Sequence, residues 1–417
     1  MPMRAWRRMM IWRHMPGNPH PQHAHAQPKA SGWRNSSIES LRILAMLMIT
    51  GHHYVVHCGG FNNPYPPFGP KLFAYLIIFS LGKVGVFLFF AISAWFLCME
   101  TDHSVRKSLK RVWILEREVL FYSIALTVVM RLRRPDLVPS ELYLNAVFPT
   151  GTSLWWYVTG YVLFLLVYPF LTLGLRAIGR NMHAAVCLIF FILWGVVAGL
   201  TRNVMYGTEH EGILDFVFLY TLITFYRWYL NDCTVKRAWM HIATGFVILS
   251  VGITALQIAG TIRHHEEMRM HSLYLASSSI KLPVMMVGFG ILILATHVRF
   301  HSRIVNRIAK ATFGIYLITD FYAIRNVIWN NNYSLSNVYN KPFSIVESIL
   351  YIIGIFIVAT CIDLVRQGLF ALTVDRHRGA WFNTVANAVT RNVWYRNVWK
   401  RLAPAQDDPD PHPRHAI

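Results

Sequence analysis

Charge is what this sequence has least of. Only 14% of its 417 residues are Asp, Glu, Lys or Arg, against about a quarter in a soluble globular domain. Acidic residues are the scarcest, 20 Asp and Glu beside 40 Lys and Arg. A chain so poor in charge is not expected to be a water-soluble domain. The five cysteines, Cys58, Cys98, Cys187, Cys233 and Cys361, have neither disulfide nor metal-ligand spacing. They read as small apolar residues, and no metal is expected. Near the start there is no short apolar core followed by a cleavage site, so a secretory signal is not expected either.

What is present is apolar surface: 54% hydrophobic residues and a mean hydropathy of +0.37. Apolar runs near 20 residues, enough to cross a bilayer, recur at Ile38–His57, Leu72–Cys98, Val112–Met130, Leu154–Leu175 and His183–Leu200. They continue at Leu214–Leu230, Met240–Ile258, Ser277–Ala295, Thr312–Trp329 and Ser344–Ala371. The expected fold is all-α, a polytopic transmembrane bundle of about ten spans in residues 36–372. Basic, Pro/His-rich residues 1–35 and basic residues 373–417 read as cytosolic tails. Lys and Arg crowd alternate connections, as the positive-inside rule requires, and an even span count puts both termini in the cytoplasm. Arg131, Arg133 and Arg134 depart from that pattern. The net charge of +20 therefore follows from topology, and no nucleic-acid partner is expected.

The first span is the unusual one. It reads I-E-S-L-R-I-L-A-M-L-M-I-T-G-H-H-Y-V-V-H and carries Glu39, Arg42, His52, His53 and His57. Ionisable groups at membrane depth cost several kcal/mol and are normally paired or functional. At about 100° per residue, Arg42 and His53 share a face, roughly 16 Å apart along the axis. His52 points about 80° away from Arg42. One helix thus offers a cation at one depth and a titratable base at another. Glu116, Arg117, Asp215, Arg227, Lys281, Asp320, Arg325, Glu347 and Asp363 are further charges within apolar runs; they read as structural pairs and are not assigned to a site. His264, His265, Glu266 and Glu267 are adjacent, so they do not converge on one ion and read as a solvated loop.

E-S-L-R followed ten residues later by His resembles the first transmembrane helix of the acyltransferase-3 family. Four more stretches resemble that family in order: Gly82–Leu97, Ser153–Pro169, Ser277–Ile291 and Ala311–Asp320. Two positions depart from it, Ala94 where Gly is usual and Thr319 where His is common. The resemblance implies an integral membrane enzyme that moves an acyl group, often acetyl, onto cell-surface glycans or related hydroxyl acceptors. It makes Glu39, Arg42 and His53 the activity motif. It also links the basic cluster after the second span, here Lys107, Lys110 and Arg111 without a literal R-x-x-R, to the acyl-CoA donor.

The chemistry agrees with that implication. Acyl transfer to a hydroxyl needs a base, for which histidine is the commonest choice near neutral pH. Lys and Arg clusters bind coenzyme A phosphates by charge-assisted hydrogen bonds. Acyl-CoA, with acetyl-CoA the best fit, is the expected co-substrate, donating its group near His53 after docking at Arg42, Lys107, Lys110 and Arg111. A glycan or other hydroxyl acceptor and the lipid bilayer are the other partners, and a multi-pass plasma-membrane location is expected. Two alternatives stand beside this reading: a transporter or flippase of a lipid-linked glycan precursor, and a non-catalytic family member.

Overall fold

A computed structural model describes residues 35–58, 66–197, 212–377 and 379–392. The expected N-terminal tail as far as Arg34, and Arg378, Arg396, Lys400 and Arg401 of the C-terminal one, lie outside the described residues. Among the described residues every regular element is helical.

Helix α1, Ser36–His57, starts where the Asn35 side chain accepts a hydrogen bond from the Ser37 amide at 3.1 Å. Glu39 in its first turn and His57 in its last match the helix dipole. The helix packs antiparallel on α2, Pro70–Leu97, in the most extensive helix pair of the fold. Glycines permit that closeness. A Cβ on Gly85 would stand 2.5 Å from the Ala45 carbonyl oxygen, and one on Gly82 would overlap the His52 ring. Small residues serve this purpose wherever membrane helices pack on one another.

Helix α3, Val105–Arg133, runs past the bundle, and short α4, Glu141–Val147, folds back along its second half. Hydrogen bonds from Ser123 to the Ala146 carbonyl and from Thr150 to Glu116, both 2.6 Å, fasten that return. Next come α5, Trp156–Ala177; α6, Gly179–Val197; α7, Ile213–Leu230; and α8, Val235–Ile262. Helices α9, Leu282–His297, and α10, Arg303–Thr319, complete the packing on α1 together with α12, Ser344–Leu372. Between α10 and α12 lies short α11, Tyr322–Trp329. A last helix, α13, Ala380–Arg391, has no buried residue.

Six helices, α2, α5, α6, α7, α8 and α12, are long and apolar enough to cross a membrane. Four of the ten expected spans therefore differ from simple apolar crossings. Helix α1 carries its ionisable row, α3 carries its basic first turns, and α9 has only 16 residues. The run at 312–329 is two helices that break at Asp320 and Phe321. The break matters, because it places the Asp320 carboxylate at a helix end that faces α1.

A buried polar network ties α3, α10 and α12 together away from that break. Tyr122 donates to Asp363 at 2.7 Å, as do Arg366 at 2.9 Å and Gln367 at 2.7 Å, and Arg366 also pairs with Glu118 at 2.9 Å. Gly314 leaves room for it, since a Cβ there would overlap the Asp363 carboxylate. Asp363, one of the unassigned charges of the sequence, is thus a structural pair. Removing one member of a buried charge pair costs about 3–5 kcal/mol. Asp363→Ala and Gly314→Val are both expected to lower the melting temperature of the detergent-purified protein by several degrees, and wild-type melting in both variants refutes the role given to this network.

Candidate active site

The His53 ring leaves α1 towards the α10 break. Its Nε2 stands 4.0 Å from Asp320 Oδ1, and the Nε2 of His57, one turn further along, stands 3.6 Å from the same oxygen. Arg325 on α11 reaches that oxygen as well, at 3.8 Å. His53 and Asp320 are buried. The three distances exceed a hydrogen bond, so the groups surround the carboxylate oxygen without closing on it. The Tyr316 ring lies beside His53, 6.2 Å between centroids.

His52 is committed elsewhere. Its Nδ1 lies 2.8 Å from the Phe79 carbonyl oxygen, and its ring sits over Gly82. It faces α2, as its angular offset from Arg42 requires. Thr319 is buried, and its hydroxyl bonds to the Ile315 carbonyl within its own helix at 2.9 Å. The second imidazole at this site therefore comes from His57, on the same helix as the first.

Beyond Asp320 is a cavity of about 390 Å³. Glu141, Asn145, Trp156, Asp320, Tyr322 and Arg325 are among its lining residues. The returning α4 segment thus forms one wall and the broken α10–α11 helix another. Lys83 on α2 holds its Nζ 5.9 Å from the centre of the Trp156 ring.

A second polar centre lies at the other end of α5. Lys107 pairs with Glu100 at 2.9 Å, and Arg111 pairs with the same carboxylate while donating to the Tyr168 hydroxyl at 2.5 Å. Arg176 Nη2 is 3.4 Å from the Cys98 carbonyl oxygen and 3.5 Å from that of Glu100. Partial burial alone would raise the Glu100 carboxyl, but hydrogen bonds from Arg111 and Lys107 hold it below the usual carboxylate range. Lys110 is not part of this group. It lies against Gly379, where a Cβ would meet its Cε at 2.5 Å. Positions 107 and 111, one turn apart, share the face that meets Glu100; position 110 does not.

Between the two centres runs one face of α5. Tyr157, Tyr161, Phe164 and Tyr168 recur at helical spacing, with successive centroids 6.0, 6.3 and 6.1 Å apart. Tyr157 meets Tyr316 at 6.0 Å, which joins this row to His53. Arg42 lies beside Glu39 at 4.0 Å, within electrostatic reach of Tyr157 and Tyr161. Arg111 also acts on Tyr161. Glu39 and Arg42 therefore stand along this row, away from the His53–Asp320 contact.

The acyltransferase domain description fits residues 35–364. The chain belongs to the acyltransferase-3 family. No curated protein and no solved structure matches it. Membership, with the apolar helices, supports a multi-pass membrane acyltransferase that works on an acyl donor and an acceptor. Helix α13, which covers Lys110, lies beyond the matched residues.

Asp320, His57, Glu100 and Arg325 are the site residues that sequence reasoning missed. A partial signal existed for His57, four residues from His53 and hence on its face. Asp320 and Arg325 were visible as charges in an apolar run, but their partner lies far away in the chain.

Proposed function

We propose that the protein transfers an acyl group, acetyl for preference, from acyl-CoA to a hydroxyl of a cell-surface or lipid-linked glycan. One observation carries this reading: a cationic centre and a His–Asp centre lie at opposite ends of a single row of rings. Phosphates of the donor would displace Glu100 from Lys107 and Arg111, because a phosphate group brings more charge and more acceptor oxygens than a carboxylate. Its pantetheine arm would follow the α5 face past Arg42, whose ~16 Å offset from His53 suits an extended arm. The thioester carbonyl would then meet His53.

At that point an acceptor hydroxyl occupies the space left between His53, His57 and Asp320. His53 Nε2 takes the hydroxyl proton as the oxygen attacks the thioester carbon. Asp320 balances the imidazolium that forms, which a buried ring otherwise resists. Collapse of the tetrahedral intermediate breaks the carbon–sulfur bond, and the imidazolium returns the proton to the departing thiolate. The cavity beyond Asp320, with Trp156 and Tyr322 as flat faces and Glu141 and Asn145 as polar groups, suits a sugar ring. Under the positive-inside expectation that end of α1 would face the outer side and the Glu100 end the cytoplasm, as the proposed reading requires.

Purified protein in lipid nanodiscs, given radiolabelled acetyl-CoA, tests the chemistry directly. His53→Ala is expected to lower transfer or hydrolysis by about 10²–10⁴-fold, the worth of general-base help. His52→Ala is expected to keep most activity, since its ring faces α2. An active His53→Ala enzyme beside an inactive, well-inserted His52→Ala one defeats the assignment.

The donor site has its own test by titration of coenzyme A. Hydrogen bonds to charged groups are worth about 1.5–3 kcal/mol each. Lys107→Ala combined with Arg111→Ala is therefore expected to weaken binding more than tenfold, and Lys110→Ala alone only slightly. Glu100→Gln removes the competing charge and should tighten binding. Unchanged affinity in the double variant reduces the cluster to a topology anchor.

A further inference from the structure

We propose that His53, His57 and Asp320 also form a binding site for a divalent transition ion of the zinc class. The sequence offered no metal-ligand spacing except the four-residue step between the two histidines, which puts both rings on one face of α1. The fold supplies the third ligand from the α10 break. The ligand atoms of the three residues all lie within 4.8 Å of one another. The two imidazole nitrogens stand 4.0 and 3.6 Å from Asp320 Oδ1. An ion at the centre of that triangle would be about 2.0–2.5 Å from all three atoms, against about 2.0–2.2 Å for zinc bound to His nitrogen or carboxylate oxygen. Only a small contraction separates the two geometries.

The donor set also has the right character. Two neutral imidazoles and one carboxylate suit zinc and its neighbours in the series rather than magnesium or calcium, which prefer all-oxygen shells. Three protein ligands leave a fourth position open. Asp320 lines the outer cavity, which gives the ion a route from that side. Two cations oppose the ion. Arg325 is 3.8 Å from Asp320 Oδ1, and Lys83 acts electrostatically on His53. The Arg325 side chain is about one-third exposed, 32%, and so can turn towards solvent. The site is therefore one of moderate affinity that fills when the ion is supplied.

The ion would take the place of the acceptor hydroxyl and engage His53 Nε2, so it is an inhibitor of the proposed transfer. That consequence rests on the functional reading above; the binding itself does not. The test uses the full chain in nanodiscs, stripped with a chelator and titrated with Co²⁺, whose visible absorption reports nitrogen and oxygen coordination. Wild-type protein and His52→Ala are expected to show the bands, and Zn²⁺ to abolish them. His57→Ala and Asp320→Ala should each lower the affinity at least tenfold. The His20, His23 and His25 run is common to every variant, so only the difference between variants counts. Equal Co²⁺ binding by wild type and His57→Ala overturns the site, and so does loss of binding in His52→Ala. Tight Zn²⁺ binding that leaves acetyl transfer untouched would keep the site and overturn the placing of His53 as base.

Discussion

Ionisable side chains on the helix that the bundle encloses set the terms for the rest of this fold. Glu39, Arg42, His52, His53 and His57 all ride on α1, and each needs a partner or a use in an apolar setting. The neighbouring helices supply them. Helix α2 gives up side-chain volume at Gly82 and Gly85 so that α1 can lie close and His52 can reach the Phe79 carbonyl. Helix α10 ends at Thr319, and its C-cap residue Asp320 meets the histidines. Arg42 keeps Glu39 three residues away on its own helix.

From this follows the separation of the two polar centres. A helix fixes distance along its axis, so residues eleven apart on α1 stay about 16 Å apart whatever the side chains do. Helix α5 spans the same interval, since Tyr157 and Tyr168 are also eleven apart. Tyr157 meets Tyr316 beside His53, and Tyr168 meets Arg111, so one rigid helix sets the distance between these two rings. Loops play no part in setting this span. Catalysis that depends on placing a thioester within a few tenths of an ångström gains from that rigidity.

Much of this was legible in the sequence because it is local. The face shared by Arg42 and His53, and the turn of His52 away from that face, follow from helical periodicity alone. The order of the five family-like stretches needed no coordinates either. What the sequence hid depends on contacts between distant segments. Asp320 looked like one more charge in an apolar run, since nothing local says that the run breaks there. Lys110 looked equivalent to Lys107 and Arg111, because Glu100, the partner those two share on the far side of the turn after α2, was not evident. Counting apolar runs found ten, whereas six helices meet the length and composition of a crossing. The difference has three causes: charge on α1 and α3, the short length of α9, and the break at Asp320 and Phe321 in the run at 312–329.

The two centres also differ in how they treat their acid. Each holds one carboxylate among basic side chains: Glu100 between Lys107 and Arg111, and Asp320 among His53, His57 and Arg325. At the first, direct hydrogen bonds from Lys107 and Arg111 close the group, and a phosphate of the proposed donor would enter by exchange with Glu100. Such exchange is favourable for a ligand of higher charge and unfavourable for a neutral one, which makes Glu100 a filter as well as a plug. At the second, the nitrogens of His53, His57 and Arg325 stand 3.6–4.0 Å from Asp320 Oδ1, a looser arrangement than the Glu100 pairs. A neutral hydroxyl could not displace a carboxylate from a cation, so this acid must leave its gap open in advance. Closed for an anion and open for an alcohol, the two ends match the charges of the two substrates that acyl transfer from coenzyme A requires.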